Sequence, residues 1–346
     1  MLFIAILTTA ASSVHADEGV SPLVQHQSVA ARNVCAWPNL TTLGDGTIVA
    51  TIFNQPAHGT LPGDVDCWAS TDGGETWERR ATVAQRPEPN SNRMNVAAGL
   101  AGNGDLVVVA SGYRRVGEDA TFEERLLPAN VYRSSDGGAT WSVPSALPTA
   151  PDGQHVIPFG DVAIGADGRP RVTAYTHMDV AAAWILASDD DGKTFADPVQ
   201  IGIGVNECAP LHLGDGRWLA AIRTVAPADV RMFASDDDGA TWTDQGPVTE
   251  ASQHPAHLLQ LADGRVVMTY GNRRPERPGI EAVLSSDEGV TWGEPIRLLE
   301  LPRLDLGYPS SAERPDGAVV TAYYARQGPG CETYHMGVVI WTPPSP

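Results

Sequence analysis

The sequence predicts an all-β chain whose sheets close into one ring, a six-bladed β-propeller. Three observations predict it. An eight-residue box of the form Ser-x-Asp-x-Gly-x-Thr-(Trp/Phe) occurs five times, at residues 70–77, 134–141, 188–195, 235–242 and 285–292. The box serines are 64, 54, 47 and 50 residues apart, the length of one four-stranded blade with its loops. Upstream of every box a hydrophobic run is interrupted by a turn pair, which reads as a hairpin.

Each element has a physical reason. In the box, an Asp accepts backbone N–H bonds from the residues after it, Gly takes the positive φ of a tight reversal, and the closing aromatic plugs the turn from below. The hairpin pairs are Asp45-Gly46, Gly104-Asp105, Asp167-Gly168, Asp215-Gly216 and Asp263-Gly264, and a sixth, Asp316-Gly317, has no box after it. Strands are expected around them, at residues 47–53, 106–110, 218–222, 266–270 and 318–324. Six hairpins imply six blades. Since the last blade lacks a box, the segment near residues 23–31 is expected to supply its outer strand, pairing the chain ends and removing an open edge.

Composition narrows the partners. The 346 residues suffice for a large core, and 35 Gly, 27 Pro and nine Trp suit a turn-rich β protein. A formal charge of −19 argues against nucleic acid and anionic membranes. The four cysteines, Cys35, Cys67, Cys208 and Cys331, lack Cys-x-x-Cys spacing, so no metal site is expected; in an oxidising compartment they allow two disulfides in three connectivities. No cofactor motif occurs. Residues 2–11 are an apolar run followed by Val14-His15-Ala16, a small-x-small site, so residues 1–16 are expected to be a signal peptide and residues 17–346 a single secreted or periplasmic domain.

Counting from the hairpin turns sorts the chain onto two rims. Eight residues before each turn Asp lie Trp37, Ala97, Phe159, Glu207, Pro255 and Tyr308; eight after it lie Phe53, Tyr113, Tyr175, Arg223, Gly271 and Tyr324. These share one rim, and the boxes occupy the other. The loops expected on the first rim carry His58, Asp64 and Asp66, then Arg114, Arg115 and Arg125, then Arg273, Arg274 and Arg277, and Arg326. With Arg223, eight of the 22 arginines gather there, an anion-friendly mouth on an anionic body.

On these motifs the chain resembles the sialidases (neuraminidases) and related propellers whose repeats are called Asp boxes, over residues 23–341. The resemblance implies a glycosidase with a Tyr nucleophile, matched by Tyr308 in Gly307-Tyr308-Pro309-Ser310, and a Glu partner, matched by Glu207 in Asn206-Glu207-Cys208. It implies carboxylate-binding arginines at Arg223 and, best matched, Arg277. Two positions depart from the pattern. Ala36-Trp37-Pro38 stands where the family has Arg-Ile-Pro, and His58, with Asp64 nearby, falls on the family's acid/base Asp. Arg93 or Arg32 is a candidate replacement for the missing cation. A phenol with a pKa near 10 needs an adjacent base to attack at neutral pH, which gives Glu207 an independent reason to be there.

Three readings follow. The first is hydrolysis of a terminal, acidic sugar from an oligosaccharide or polysaccharide, with Tyr308, Glu207 and His58 or Asp64 catalytic and Arg223, Arg277, Trp37 and Arg93 binding substrate. The second keeps the site but makes it a uronic polysaccharide lyase, with His58 or Tyr308 as base. The third is a carbohydrate-binding propeller that stacks sugars on Trp37, Tyr113, Tyr175 and Tyr324. The box aspartates Asp72, Asp136, Asp190, Asp237 and Asp287 are structural in all three.

Overall fold

The structure, a computed structural model, describes residues 20–142, 145–177, 181–328 and 330–345; the proposed signal peptide lies outside them. An opening strand, β1 (Val24–Arg32), precedes β2 (Asn39–Thr42), β3 (Ile48–Phe53), β4 (Val65–Ser70) and β5 (Glu78–Ala84), which form one antiparallel sheet. Next come β6 (Asn95–Leu100), β7 (Leu106–Tyr113), a single-turn helix α1 (Phe122–Arg125), β8 (Leu126–Ser134) and β9 (Ser145–Ala146). The third set is β10 (Ile157–Ile164), β11 (Pro170–Thr176), β12 (Ala182–Ala187) and β13 (Ala196–Ile203). Parallel pairing of β6 with β10 joins the second and third sets into one eight-stranded sheet.

Two further four-stranded sheets hold β14 (Val205–Gly214), β15 (Arg217–Thr224), β16 (Val230–Ser235) and β17 (Thr243–Pro247), then β18 (Gln253–Gln260), β19 (Val266–Asn272), β20 (Gly279–Ser285) and β21 (Ile296–Glu300). The last is β22 (Leu306–Glu313), β23 (Val319–Ala325) and β24 (His335–Trp341), completed by β1 antiparallel to β24. The chain ends therefore pair as expected. Along the leading strands, β2 touches β6 and β22, β10 touches β6 and β14, and β18 touches β14 and β22.

The second strands β3, β11, β19 and β23 are buried along their whole length. Packing on both faces explains why they read as short continuous apolar runs rather than alternating ones. The hairpins before them share one device: Asp45 Oδ1 accepts the Thr47 N–H at 2.9 Å while Gly46 takes φ 86°, and Asp167, Asp263 and Asp316 act likewise. In the second set the device is Asn103-Gly104, not Gly104-Asp105, because Asn103 Oδ1 accepts the Asp105 N–H at 3.0 Å and Gly104 takes φ 86°. The count of eight then falls on Asn95 instead of Ala97, and Asn95 lines the central pocket.

The five boxes share their Ser, Asp and Thr bonds. In the first, Ser70 Oγ donates to Asp72 Oδ1 and accepts from the Gly74 N–H, Asp72 accepts from both the N–H and the hydroxyl of Thr76, and Trp77 Nε1 donates to the Gly74 carbonyl at 3.0 Å. Burial raises the Asp72 pKa, but the bonds from Thr76 and Ser70 outweigh it and bring the group down to about 2. Asp136 and Asp287 are likewise lowered to about 2, chiefly by hydrogen bonds from Thr140 and Thr291. All four cysteines are free and buried, so the disulfides that an oxidising compartment would allow are not formed.

Candidate active site

The leading strands and the loops beside them surround a chamber of about 190 Å³. Tyr308, on β22, and Glu207, on β14, meet in its wall: the Tyr308 hydroxyl donates to Glu207 Oε1. The other carboxylate oxygen accepts from Arg223 Nη1 at 2.9 Å, and Glu207 is only 7% exposed. Register explains the Glu207–Arg223 contact, since β14 and β15 pair antiparallel from Val205 opposite Thr224 to Cys208 opposite Ile222. Burial and the neighbouring Glu207 charge push the Tyr308 phenol well above its ordinary pKa, against the opposing pull of Arg273 and Arg223. The phenol is therefore neutral and hydrogen-bonded to an acceptor positioned to take its proton.

Two aromatic residues of the wall adopt backbone that bulky L-residues rarely take, Trp37 at φ 42° and Tyr308 at φ 47°. Each such conformation costs about 1–3 kcal/mol and persists where surrounding structure enforces it. Here the two rings lie 5.9 Å apart, with Phe159 5.8 Å from Tyr308. The aromatic belt expected on this rim is present, as Tyr113 and Tyr175 also line the chamber.

The arginines divide sharply. Arg273 sets its guanidinium carbon 5.5 Å from the Tyr308 ring centroid and donates to the Leu306 carbonyl at 2.9 Å. Arg277 is exposed and borders a separate shallow groove with Glu250 and Glu276. Arg274 pairs with Glu250, and Arg114 lies 3.5 Å from Glu88. Of the eight arginines expected at the mouth, Arg223 and Arg273 are the two whose contacts reach the Tyr308–Glu207 pair. Arg93 is 4% exposed and spends Nη1 on the Pro128 carbonyl at 2.6 Å and on the Ala110 carbonyl. Arg32 donates to the Gly330 carbonyl at 2.7 Å. Neither is among the residues that line the chamber, whereas Trp37 is.

His58 and Asp64, six positions apart in one loop, part company. His58 lines the chamber, packs edge-on against Trp37 with centroids 4.6 Å apart, and holds Nδ1 3.8 Å from Asp305 Oδ1. Asp64 is bound to Arg86, by its N–H at 2.7 Å and its Nη1 at 2.6 Å, away from the chamber. Asp66 pairs with Arg79.

Sequence reasoning missed several residues here. Asp305 stands just before β22 and accepts from the Tyr324 hydroxyl at 2.5 Å and from the Tyr334 hydroxyl. His254 is buried; desolvation and the charges of Arg223 and Arg273 bring its pKa down to about 3, so the imidazole is neutral. Beneath them His257 Nε2 meets Asp161 Oδ2 at 3.0 Å, and Asn39 Nδ2 donates to Asp161 Oδ1 at 3.1 Å. The Ser311 N–H points at His257 Nδ1, which assigns the proton to Nε2. Position counting offered the only signal for these groups: Asn39 and His257 lie two residues beyond Trp37 and Pro255.

Comparison with known proteins fits this geometry. The family described as BNR repeat-like domain matches residues 46–321. The chain is a BNR-repeat protein of the sialidase superfamily. This BNR-repeat chain is 25% identical to a sialidase of Micromonospora viridifaciens over 88% of its own length and 53% of the relative's; it thus spans about half of that protein. A structure of a protein of unknown function from Dyadobacter fermentans superposes with a TM-score of 0.77 at 22% identity, covering 92% of this chain and 99% of the other. The Hadza microbial sialidase Hz136 superposes with a TM-score of 0.70 at 20% identity, covering 90% and 66%.

Proposed function

We propose that the chain is a sialidase-like glycoside hydrolase that releases a terminal, acidic sugar from glycans by way of a Tyr308 nucleophile, on a closed six-bladed propeller. The hydrogen bond from Tyr308 to a buried Glu207 that Arg223 also holds carries the reading. Tyr308 Oη attacks the anomeric carbon while its proton passes to Glu207, and the bond to the leaving oxygen breaks as that oxygen takes a proton from His58. Water then adds at the anomeric carbon, giving a proton to His58, and Tyr308 recovers its own from Glu207. A neutral nucleophile does not repel a substrate carboxylate, which Arg223 and Arg273 are placed to receive.

The ring closure rests on the contacts of each leading strand with two others and on the β1–β24 pairing. His58 is preferred to Asp64 as acid/base because Asp64 is committed to Arg86. Arg273 takes the role first given to Arg277. Among the described residues no helix is long and apolar enough to cross a membrane, and export rests on the apolar run of residues 2–11 with its Val14-His15-Ala16 site.

The test is a mass-spectrometric product screen in ¹⁸O-water against sialylated glycans, uronic polysaccharides and arabinan. A released sugar carrying ¹⁸O at its anomeric carbon supports hydrolysis and names the glycone. Unsaturated uronates without the label would make the chain a lyase, and retention on glycans without any product would make it a binding module.

A further inference from the structure

Two observations at the mouth of the chamber are left over from the fold and from the Tyr308–Glu207 pair. Asp305 has both carboxylate oxygens occupied by phenols, Oδ1 by Tyr324 and Oδ2 by Tyr334, yet its side chain remains 35% exposed and lies near His58. His58 is exposed on a loop, and its contacts with Trp37 on one face and Asp305 at Nδ1 are what limit its ring.

We propose that His58 and Asp305 form an acid/base dyad, in which Asp305 is the positioning residue that directs His58 Nε2 at the glycosidic oxygen. The inference rests on the hydrolytic reading given above. The tyrosines fix the carboxylate, the carboxylate faces Nδ1, and Trp37 packs against the ring. The Nδ1–Oδ1 separation of 3.8 Å is an ion-pair distance, longer than a hydrogen bond, and such contacts commonly tighten when substrate binds. Burial works against the Asp305 charge, but nearby His58 and the hydroxyls of Tyr324 and Tyr334 lower its pKa well below the carboxylate range, so the anion persists at neutral pH.

The chemistry balances. In the first half-reaction Nε2–H passes its proton to the leaving oxygen as the carbon–oxygen bond breaks and its electron pair stays on that oxygen. In the second, the Nε2 lone pair takes a proton from the water that bonds to the anomeric carbon. Nδ1–H stays directed at Asp305 throughout, and one proton enters and leaves Nε2 per turnover. A carboxylate alone at this corner would need to be protonated to act as the acid, whereas an oriented imidazolium serves with its partner ionised.

Asp305→Asn tests this by leaving-group dependence, which a merely structural role would not create. With a glycoside whose leaving group is a sugar hydroxyl, kcat/KM, which reports the first half-reaction alone, is expected to fall about 10–100-fold; with a 4-nitrophenyl glycoside, whose leaving oxygen needs no protonation, kcat/KM should change by less than about threefold. The double variant His58→Gln/Asp305→Asn should be no slower than His58→Gln alone. Equal losses on both substrates, or additive losses, overturn the dyad. Independently of turnover, ¹H–¹⁵N spectra of the neutral His58 imidazole should show its proton on Nδ1 in the wild type and a different tautomer balance in Asp305→Asn; an unchanged tautomer also overturns it. If the wild type cleaves no glycoside the hydrolytic reading fails, while the spectra still decide the dyad. Should Asp305→Asn fail to fold, Tyr334→Phe, which frees one carboxylate oxygen, is expected to give the same leaving-group selectivity at smaller size, and an unselective loss counts against it.

Discussion

The two rims of the molecule are built on opposite rules. The box rim repeats one turn five times, with the same Ser, Asp, Gly and Thr in the same bonds, so that Asp72, Asp136, Asp190, Asp237 and Asp287 accept from the Ser and Thr of their own boxes. The chamber rim repeats nothing: the equivalent positions of the sets hold Trp37, Asn95, Phe159, Glu207, Pro255 and Tyr308, two of them at positive φ. Repetition marks what every sheet needs in order to turn. Departure from it marks where six leading strands contribute different chemistry to one pocket, and single substitutions on the two rims should therefore fail in different ways.

The largest expected effect lies on the chamber rim. Tyr308→Phe should reduce kcat by on the order of 10³-fold or more, the scale for removing a group that acts as part of a catalytic unit, and should move the melting temperature little because the ring and its packing remain. Steady-state kinetics with calorimetry checks both. Glu207→Gln should match it in rate, but it strips Arg223 of its counter-charge, so a measurable loss of stability is expected too. Near-normal turnover in Tyr308→Phe would break the contrast between the rims.

The box rim should show the reverse. Asp72→Ala removes acceptors for the Thr76 N–H and hydroxyl and for the Ser70 hydroxyl, about 3 kcal/mol at roughly 1 kcal/mol net per bond. The expected result is a melting temperature a few degrees lower with kcat and KM unchanged below the transition. A selective loss of activity in the folded variant would mean that the boxes are more than turns.

The same rim governs acid stability. Asp72, Asp136 and Asp287 have folded-state pKa values of about 2, below the roughly 3.9 of an unfolded Asp. Stability from such groups is complete above the unfolded value and is lost as pH falls through the folded one. Unfolding free energy should accordingly decline between about pH 4 and pH 2, and Asp72→Ala should decline less steeply there. Denaturant melts at a series of pH values would reveal it.

These contrasts explain what could be read from the chain. Turn chemistry is local, so the boxes and five of six hairpins were visible as residues at fixed spacing, and from them the rim positions of Tyr308, Glu207 and Arg223 followed by counting. The second hairpin was displaced because Asn103 performs the bond that Asp performs elsewhere. Asp305 was invisible for a different reason. It sits in the lead-in to β22, ahead of the counted strand, and its partners Tyr324 and Tyr334 and its neighbour His58 come from three separate segments. Loop conformation brings these together, and no periodicity records it. Asp64 was misleading on the same ground, since nothing in the spacing of the loop announces Arg86 as its partner.

The smallest effect provides the finest test of the site's boundary. Arg273 and Arg277 are four positions apart in one loop, and both were candidates for holding a substrate carboxylate. Arg273 lies on the Tyr308 ring and is tied to the Leu306 carbonyl, whereas Arg277 is exposed beside Glu276. A charge-assisted contact to a bound carboxylate is worth about 1.5–3 kcal/mol, so Arg273→Ala should raise KM roughly 10–100-fold. Arg277→Ala should leave KM within about twofold, because a solvated guanidinium outside the chamber exerts only a screened influence across it. Measured side by side, a larger penalty at Arg277 would mean that the loop rearranges around substrate and that the boundary drawn from the unliganded chamber is wrong.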